Sequence, residues 1–225
     1  FLNKGVIIDK YAFQPVIVLR PEPLQSLGNQ ILKRSFDIFF SLLVIVLILS
    51  WLLPLCAIFI KIESKGPVFY IQKRSGRDYK LFRILKLRTM TSTDSDDDFV
   101  QAKKNDSRVT KVGKILRKLN LDEIPQFINV LLGTMSVVGP RPHVMKLNEE
   151  YKNYIDKYMI RHLVKPGVTG LAQVRGFRGE TTEHYQMDGR VQYDVEYIES
   201  WSFLLDIKII LLTVFNVFRG EKNAY

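Results

Sequence analysis

Apolar residues are unevenly spread along this chain, and their period changes from one segment to the next. The longest apolar run, IFFSLLVIVLILSWLLPLCAIFI at residues 38–60, contains no charge. A straight helix of about 23 residues, rising 1.5 Å each, crosses a bilayer core of about 30 Å. Pro54 lies within the run, where it removes one helical hydrogen bond and predicts a break. Both flanks are basic: Lys33 and Arg34 before, Lys61, Lys65, Lys73 and Arg74 after. Basic flanks favour the cytoplasmic side, and a helix that enters, breaks near Pro54 and returns satisfies both. The pattern therefore predicts a re-entrant helix–break–helix over residues 31–62. A spanning helix and a buried core helix are the alternatives.

Other segments are shorter. GVIID and PVIVLRPEPL read as strands punctuated by proline, too little material for a domain, so residues 1–30 read as the end of a preceding cytosolic domain or linker. GPVFYIQKRSG and YKLFRILKLRTM predict strands around a turn at Gly76-Arg77-Asp78. TSTDSDDDFVQAKKNDSR is a polar, acidic loop, either solvated or metal-binding. TKVGKILRKLN and EIPQFINVLLG predict helices, and MSVVGPRPHV is a short apolar run stopped by prolines. HVMKLNEEYKNYIDKYMIRHL predicts one amphipathic helix. VKPGVTGLAQVRGFRGE is too glycine-rich for a long helix and reads as a structured loop with short strands. One or two helices follow; the uncharged piece at 209–218 is too short to span and either lies in the interface or packs on the body. The fold class expected is α+β: the re-entrant membrane element, then a compact, mainly helical cytosolic domain over residues 63–225 with a small sheet and interfacial helices.

Composition narrows the partners. The 225 residues carry a formal net charge of +10, which favours anions: nucleic acid, anionic lipid or phosphorylated small molecules. A single cysteine, Cys56, excludes an internal disulfide framework. The three histidines show no zinc-ligand spacing, and neither a dinucleotide fingerprint nor a P-loop occurs. The chain opens on Phe1 rather than Met, which reads as the carboxy-terminal part of something longer, or a processed form.

In LRKLNLDEIPQFINVL, two acids stand side by side in this basic chain. Asp122 reads as a helix N-cap, with Glu123 and Pro125 tolerated in the first turn. The same place also suits chemistry. Helix starts bind phosphate, adjacent carboxylates supply a nucleophile and a metal ligand, and Mg²⁺ bridges carboxylates to substrate phosphates. Both readings stand on the local sequence alone.

An ordered series of motifs then resembles a family. KRSFDI, GPVFYIQKRSG, FRILKLRTM, DSRVTKVGKILRKLNLDEIPQFINVLLGTMSVVGPRPH, RHLVKPGVTGLAQVRGFRGET and YDVEYIESWSFLLDIKIILLT resemble the bacterial sugar transferases, the monotopic polyprenyl-phosphate phosphoglycosyl transferases, from about residue 31 to the end. The resemblance implies transfer of a sugar-1-phosphate from a UDP-sugar to undecaprenyl phosphate with release of UMP, at the cytoplasmic face of the bacterial inner membrane. It assigns Asp122 as nucleophile, forming a covalent phosphosugar, and Glu123 as Mg²⁺ ligand, with Mg²⁺ the cofactor. Arg117 and Arg141 match family arginines and are candidates for phosphate contacts. Lys86 and Arg88 are weaker candidates that local acids would equally occupy. Arg175, Arg178 and Glu180 either help form the nucleotide or sugar site or are ordinary loop charges. The family often has Ser-Pro at the helix break; here the pair is Leu53-Pro54, so the serine's contribution is missing.

The carboxy-terminal segments most resemble the long subgroup that primes exopolysaccharide or capsule with glucose-1-phosphate, with galactose-1-phosphate the competitor. The partners implied are a UDP-sugar, undecaprenyl phosphate and membrane lipids; a homo-oligomer stays open. The rival class is a non-catalytic, basic, membrane-anchored binding module. Nucleic acid is not expected, since no recognition helix, zinc finger or RNP-like aromatic pattern is seen.

Overall fold

The structure, a computed structural model, describes residues 6–11, 14–19, 22–91, 106–179 and 184–219. The apolar run forms one helical stretch, Leu27–Glu63. Helix α1 (Leu27–Val44) leads through a π turn, Ile45–Leu49, into α2 (Ser50–Glu63). At that turn the Ser50 N–H bonds to the Ile45 carbonyl. Side chains satisfy the neighbouring carbonyls: Ser50 Oγ donates to Val46 O at 2.7 Å and Trp51 Nε1 to Leu47 O at 2.8 Å. Pro54 sits inside α2, one turn after Ser50, whose carbonyl loses its usual partner to the missing proline N–H. The break expected near Pro54 does not appear: the helix is continuous over Leu27–Glu63, and its departure from α geometry is the π turn just before Ser50. Phe39, Val46, Leu47, Trp51, Ile58 and Ile62 are each more than half exposed, so this helix offers a long apolar face.

Its basic leading flank is structural. Lys33 is buried and donates to Asp206 Oδ2 at 2.7 Å. Arg34 donates to Val130 O at 2.6 Å and Leu131 O at 2.8 Å, among the last carbonyls of α4 (Gln126–Leu131), which have no partner within their own helix. Asp37 accepts from Ser136 Oγ and Val137 N, both at 3.0 Å. At the far end, Glu63 accepts from Lys111 N at 2.6 Å and Val112 N at 2.9 Å, the first turn of α3 (Lys111–Lys118). Cys56 and Ile60 pack with Leu87 and Leu116. Both ends of the apolar helix therefore hold the same body.

That body is α+β, as expected. Strands β1 (Val6–Tyr11) and β2 (Gln14–Leu19) form an antiparallel hairpin. So do β3 (Phe69–Ser75) and β4 (Leu81–Leu87), joined by a turn where Asp78 and Tyr79 have positive φ. Strand β5 (Ser136–Val138) pairs in parallel with β6 (Gly167–Thr169). Helices α7 (His184–Ser200) and α8 (Phe203–Arg219) follow the short α6 (Leu171–Val174). Val130, Met135, Val137 and Val138 meet Tyr197, Ile198, Trp201 and Ile209 in the main core. Asp206, fully buried, accepts from Lys33, from Tyr197 Oη at 2.8 Å and from Trp201 Nε1 at 3.1 Å, tying α1, α7 and α8 together. One face of α8 packs through Ile209, while Leu204, Leu211, Phe215 and Phe218 are exposed.

The single helix expected over residues 143–163 is a correction. Helix α5 covers only Met145–Tyr151, and a 3-10 turn follows at Tyr158–Leu163. Lys157 takes left-handed geometry (φ 68°) between them. The broken path lets Tyr151, Ile155 and Tyr158 meet Met187, Val191 and Val195 of α7, and it buries Arg161.

Candidate active site

The Asp122–Glu123 pair hangs between α3 and α4. Helix α3 starts at Thr110, whose side chain accepts from Gly113 N at 2.9 Å. A Cβ on Gly113 would lie 2.2 Å from the Thr89 carbonyl oxygen, so only glycine lets α3 come this close to the end of β4. The approach brings Arg117 Nε to Thr89 Oγ1 at 2.8 Å. Asn120, left-handed at φ 58°, reverses the chain into a 3-10 turn, Leu121–Glu123. Helix α4 begins only at Gln126, with Pro125 at its N-cap position. The N-cap expected of Asp122 is therefore not formed, and its carboxylate stays available.

Glu123 is buried and receives four donors. Lys86 Nζ and Arg141 Nη2 each lie 2.8 Å from Oε1; Arg178 Nη2 lies 3.0 Å and Arg141 Nη1 3.3 Å from Oε2. Burial alone would raise its pKa, but Arg141, Lys86 and Arg178 outweigh it and hold Glu123 well below the usual range. Burial also pulls Lys86 below the usual lysine value, against the attraction of Glu123. Asp122 differs. It is half-buried and accepts no hydrogen bond among the described residues. Burial, then repulsion from Glu123, lifts its pKa to about 6, while Lys86, Arg117 and Arg178 oppose the rise. At pH 7 it is an ionised, unpaired carboxylate within the field of these cations, as a nucleophile attacking an anion requires.

The cations are fixed from behind. Asn129 of α4 clamps β4 through Leu85 N (3.0 Å) and Arg83 O (2.8 Å), beside Lys86. Gly139 N donates to Thr169 O and Gly167 N to Pro140 O, both at 2.9 Å, setting the loop that bears Arg141. Arg161 Nη2 donates to the Arg141 carbonyl at 2.7 Å and pairs with buried Asp194 at 2.8 Å. Arg190 donates to Phe177 O and Gly179 O, both at 2.9 Å, on either side of Arg178. His143 lies between Arg161 and Arg190; burial, then these arginines, hold its pKa well below the usual value, so it adds no further charge.

Of the residues expected from sequence, Asp122, Glu123, Arg117, Arg141 and Lys86 come together. Arg88 does not: it is buried and donates to Lys65 O at 2.7 Å and Ser64 O at 2.8 Å, closing the end of α2. Arg175 is exposed and takes no part in the cluster, whereas Arg178 does. Residues 92–105 of the acidic loop and Glu180 lie outside the described residues; Asp106 pairs with Arg108 at 2.8 Å. Arg161, Arg190 and Asp194 were missed. The signal was there for two of them, since Arg190 and Asp194 fall in the helical phase of Met187, Val191, Val195 and Ile198.

The expected Mg²⁺ ligand does not fit in this arrangement. A carboxylate has about four lone-pair directions, and four donors occupy those of Glu123. Among the described residues no group of three or more His, Cys, Asp or Glu gathers elsewhere.

Comparison with known proteins gives the context. The family profile described as bacterial sugar transferase matches residues 28–220. A UDP-glucose:undecaprenyl-phosphate glucose-1-phosphate transferase of Klebsiella pneumoniae is 52% identical over 94% of this chain and 45% of its own length. The enzyme of that name from Caulobacter vibrioides is 44% identical over 93% of this chain and 78% of its own. An N-acetylgalactosaminephosphotransferase of Aeromonas hydrophila, acting on undecaprenyl phosphate by its name, is 38% identical over 97% and 50%. The chain thus spans about half or less of the Klebsiella and Aeromonas proteins. A profile matching most of the chain, together with these identities, is decisive: this chain belongs to the bacterial sugar transferase family.

Proposed function

We propose that this protein transfers glucose-1-phosphate from UDP-glucose to undecaprenyl phosphate, releasing UMP, as the first membrane step of exopolysaccharide, capsule or O-antigen synthesis. The observation that carries the reading is the unpaired Asp122 carboxylate within the field of Lys86, Arg117 and Arg178. An Asp122 oxygen attacks the sugar-bearing phosphorus, a new P–O bond forms, and the bond to the UMP oxygen breaks. Lys86, Arg117, Arg141 and Arg178 hold the charge spread over the phosphoryl oxygens. The phosphate oxygen of undecaprenyl phosphate then attacks the same phosphorus and frees Asp122. Mg²⁺ belongs to this reading as an ion that neutralises diphosphate charge when bound.

The membrane part of the reading is a helix that enters and leaves one leaflet, bending at the π turn, with the body on the cytoplasmic face. It is supported by the bonds both ends of Leu27–Glu63 make to one body. A straight span would put those ends on opposite sides of about 30 Å of hydrocarbon. The exposed face of α8 suits the interface.

The test is UMP release by the purified protein in nanodiscs, with a panel of UDP-sugars, undecaprenyl phosphate and Mg²⁺. UDP-glucose should be turned over and Asp122→Asn should be inactive though folded, with no phosphosugar adduct by mass spectrometry. Preference for UDP-galactose would replace the sugar; full activity in Asp122→Asn would remove the nucleophile.

A further inference from the structure

Two cations converge beside Gly133, just past the end of α4. Gly133 has φ 86°, and a Cβ on it would lie 3.4 Å from Arg34 Nη2 and 3.8 Å from Lys165 Nζ. Both cations thus border one point, which a side chain at position 133 would fill. Arg34 uses two N–H groups on Val130 O and Leu131 O, and a guanidinium has five. Lys165 Nζ has no hydrogen-bond or ion-pair partner among the described residues. Burial, then repulsion from Arg34, pull its pKa below the usual lysine value, and Arg77 and Lys33 add to the pull. Asp37 opposes them, but its Oδ1 already accepts from Ser136 and Val137. Positive charge gathered in this way, with donors to spare, suits a phosphate.

We propose that Arg34 and Lys165 bind the phosphate of an anionic phospholipid and so fix the far end of α4 to the headgroup layer. The proposal rests on the membrane reading above. Depth favours a bilayer lipid over a soluble anion. Arg34 stands four residues before Ile38, where the uncharged run begins, or about 6 Å along α1. The headgroup layer outside the hydrocarbon is about 5–8 Å thick. Exposed apolar side chains flank the site as acyl chains would require: Ile31 one turn before Arg34, Leu132 next to Gly133, and Leu163 two residues before Lys165. A net negative headgroup is favoured over a zwitterionic one, whose ammonium would join cations that already repel each other.

The test is thermal unfolding of the full chain in nanodiscs, followed by intrinsic fluorescence. Wild type should melt about 3 °C or more higher with phosphatidylglycerol present than in phosphatidylcholine alone. Lys165→Gln should bind the lipid about tenfold more weakly, as loss of one charge-assisted contact implies, and lose most of that increment. Lys165→Glu carries its own anion to Arg34; it should melt higher than wild type in phosphatidylcholine and gain nothing from phosphatidylglycerol. Lys146→Gln, on the exposed face of α5, should keep the increment. An increment retained by either Lys165 variant, or lost equally in Lys146→Gln, overturns the proposal and leaves the membrane reading intact. An increment absent from wild type also overturns it. So does one that inorganic phosphate reproduces in phosphatidylcholine, since the site then serves a soluble anion. Wild type that a carbonate wash strips from vesicles overturns the membrane reading and the proposal with it.

Discussion

Asp122 should make the protein less stable, and Asp122→Asn should reveal by how much. Its carboxyl is held at about 6 instead of 3.8, so the folded state binds this proton more tightly than the unfolded chain. The stabilising effect of the proton is complete below about pH 4 and is lost as pH rises through about 6. At pH 8, in EDTA, the ionised carboxylate then costs the folded state up to about 3 kcal/mol. Asparagine removes that charge with little change in shape. For a chain of this size about 2–4 °C accompanies each kcal/mol, so the ceiling is a rise of about 6–12 °C in Tm. Because the amide adds donors beside three cations, a rise of about 4 °C or more is the expected result. At pH 5 roughly half of the free-energy gain should remain, since the wild-type group is then mostly protonated when folded and mostly ionised when unfolded. Differential scanning fluorimetry of both proteins in one detergent, at pH 5 and pH 8, is sufficient. A Tm at pH 8 that is unchanged or lower in the variant, or a gain as large at pH 5 as at pH 8, refutes the reasoning.

Three further outcomes are expected. Arg178→Gln should lower kcat/KM for UMP release about 10- to 100-fold, as loss of a charge-assisted contact implies, while Arg175→Gln, on the exposed neighbour, should change it less than about twofold in the same assay. Asp206→Ala strands the buried Lys33 ammonium and should cost about 3–5 kcal/mol by denaturant unfolding, most of which Lys33→Met with Asp206→Leu should restore. Gly113→Ala drives a methyl group into the Thr89 carbonyl and should cost about 1–3 kcal/mol, with a fall in activity as α3 and Arg117 shift.

What the sequence revealed depended on how local the cause was. The β3–β4 hairpin was readable because alternation and the Gly76-Arg77-Asp78 turn lie within one short segment. The Asp-Glu pair was readable as chemistry only through the ordered motifs around it; local propensity favoured an N-cap, which the left-handed Asn120 and the delayed start of α4 displaced. Lys33 and Arg34 read only as a basic flank on the cytoplasmic side because their partners, Asp206 and the α4 carbonyls, lie about 100 or more residues away. Arg88 and Arg178 could not be told apart by spacing. One turned to the end of α2 and the other to Glu123, a choice made by loops that tertiary contacts position. The helix expected at residues 143–163 failed because burying Tyr158 and Arg161 required a reversal that amphipathic periodicity does not report.

The hydrogen bonds of Arg34 and Glu63 give the apolar helix a role beyond attachment. One grips the far end of α4 and the other the near end of α3, and the Asp122–Glu123 pair lies on the chain between those grips. A transplanted hydrophobic segment of equal length would keep the apolar face but leave the turn that carries Asp122 and Glu123 unsupported. Trimming the helix away for solubility would do the same damage, so the greasy part of this protein has to be counted as part of its candidate active site.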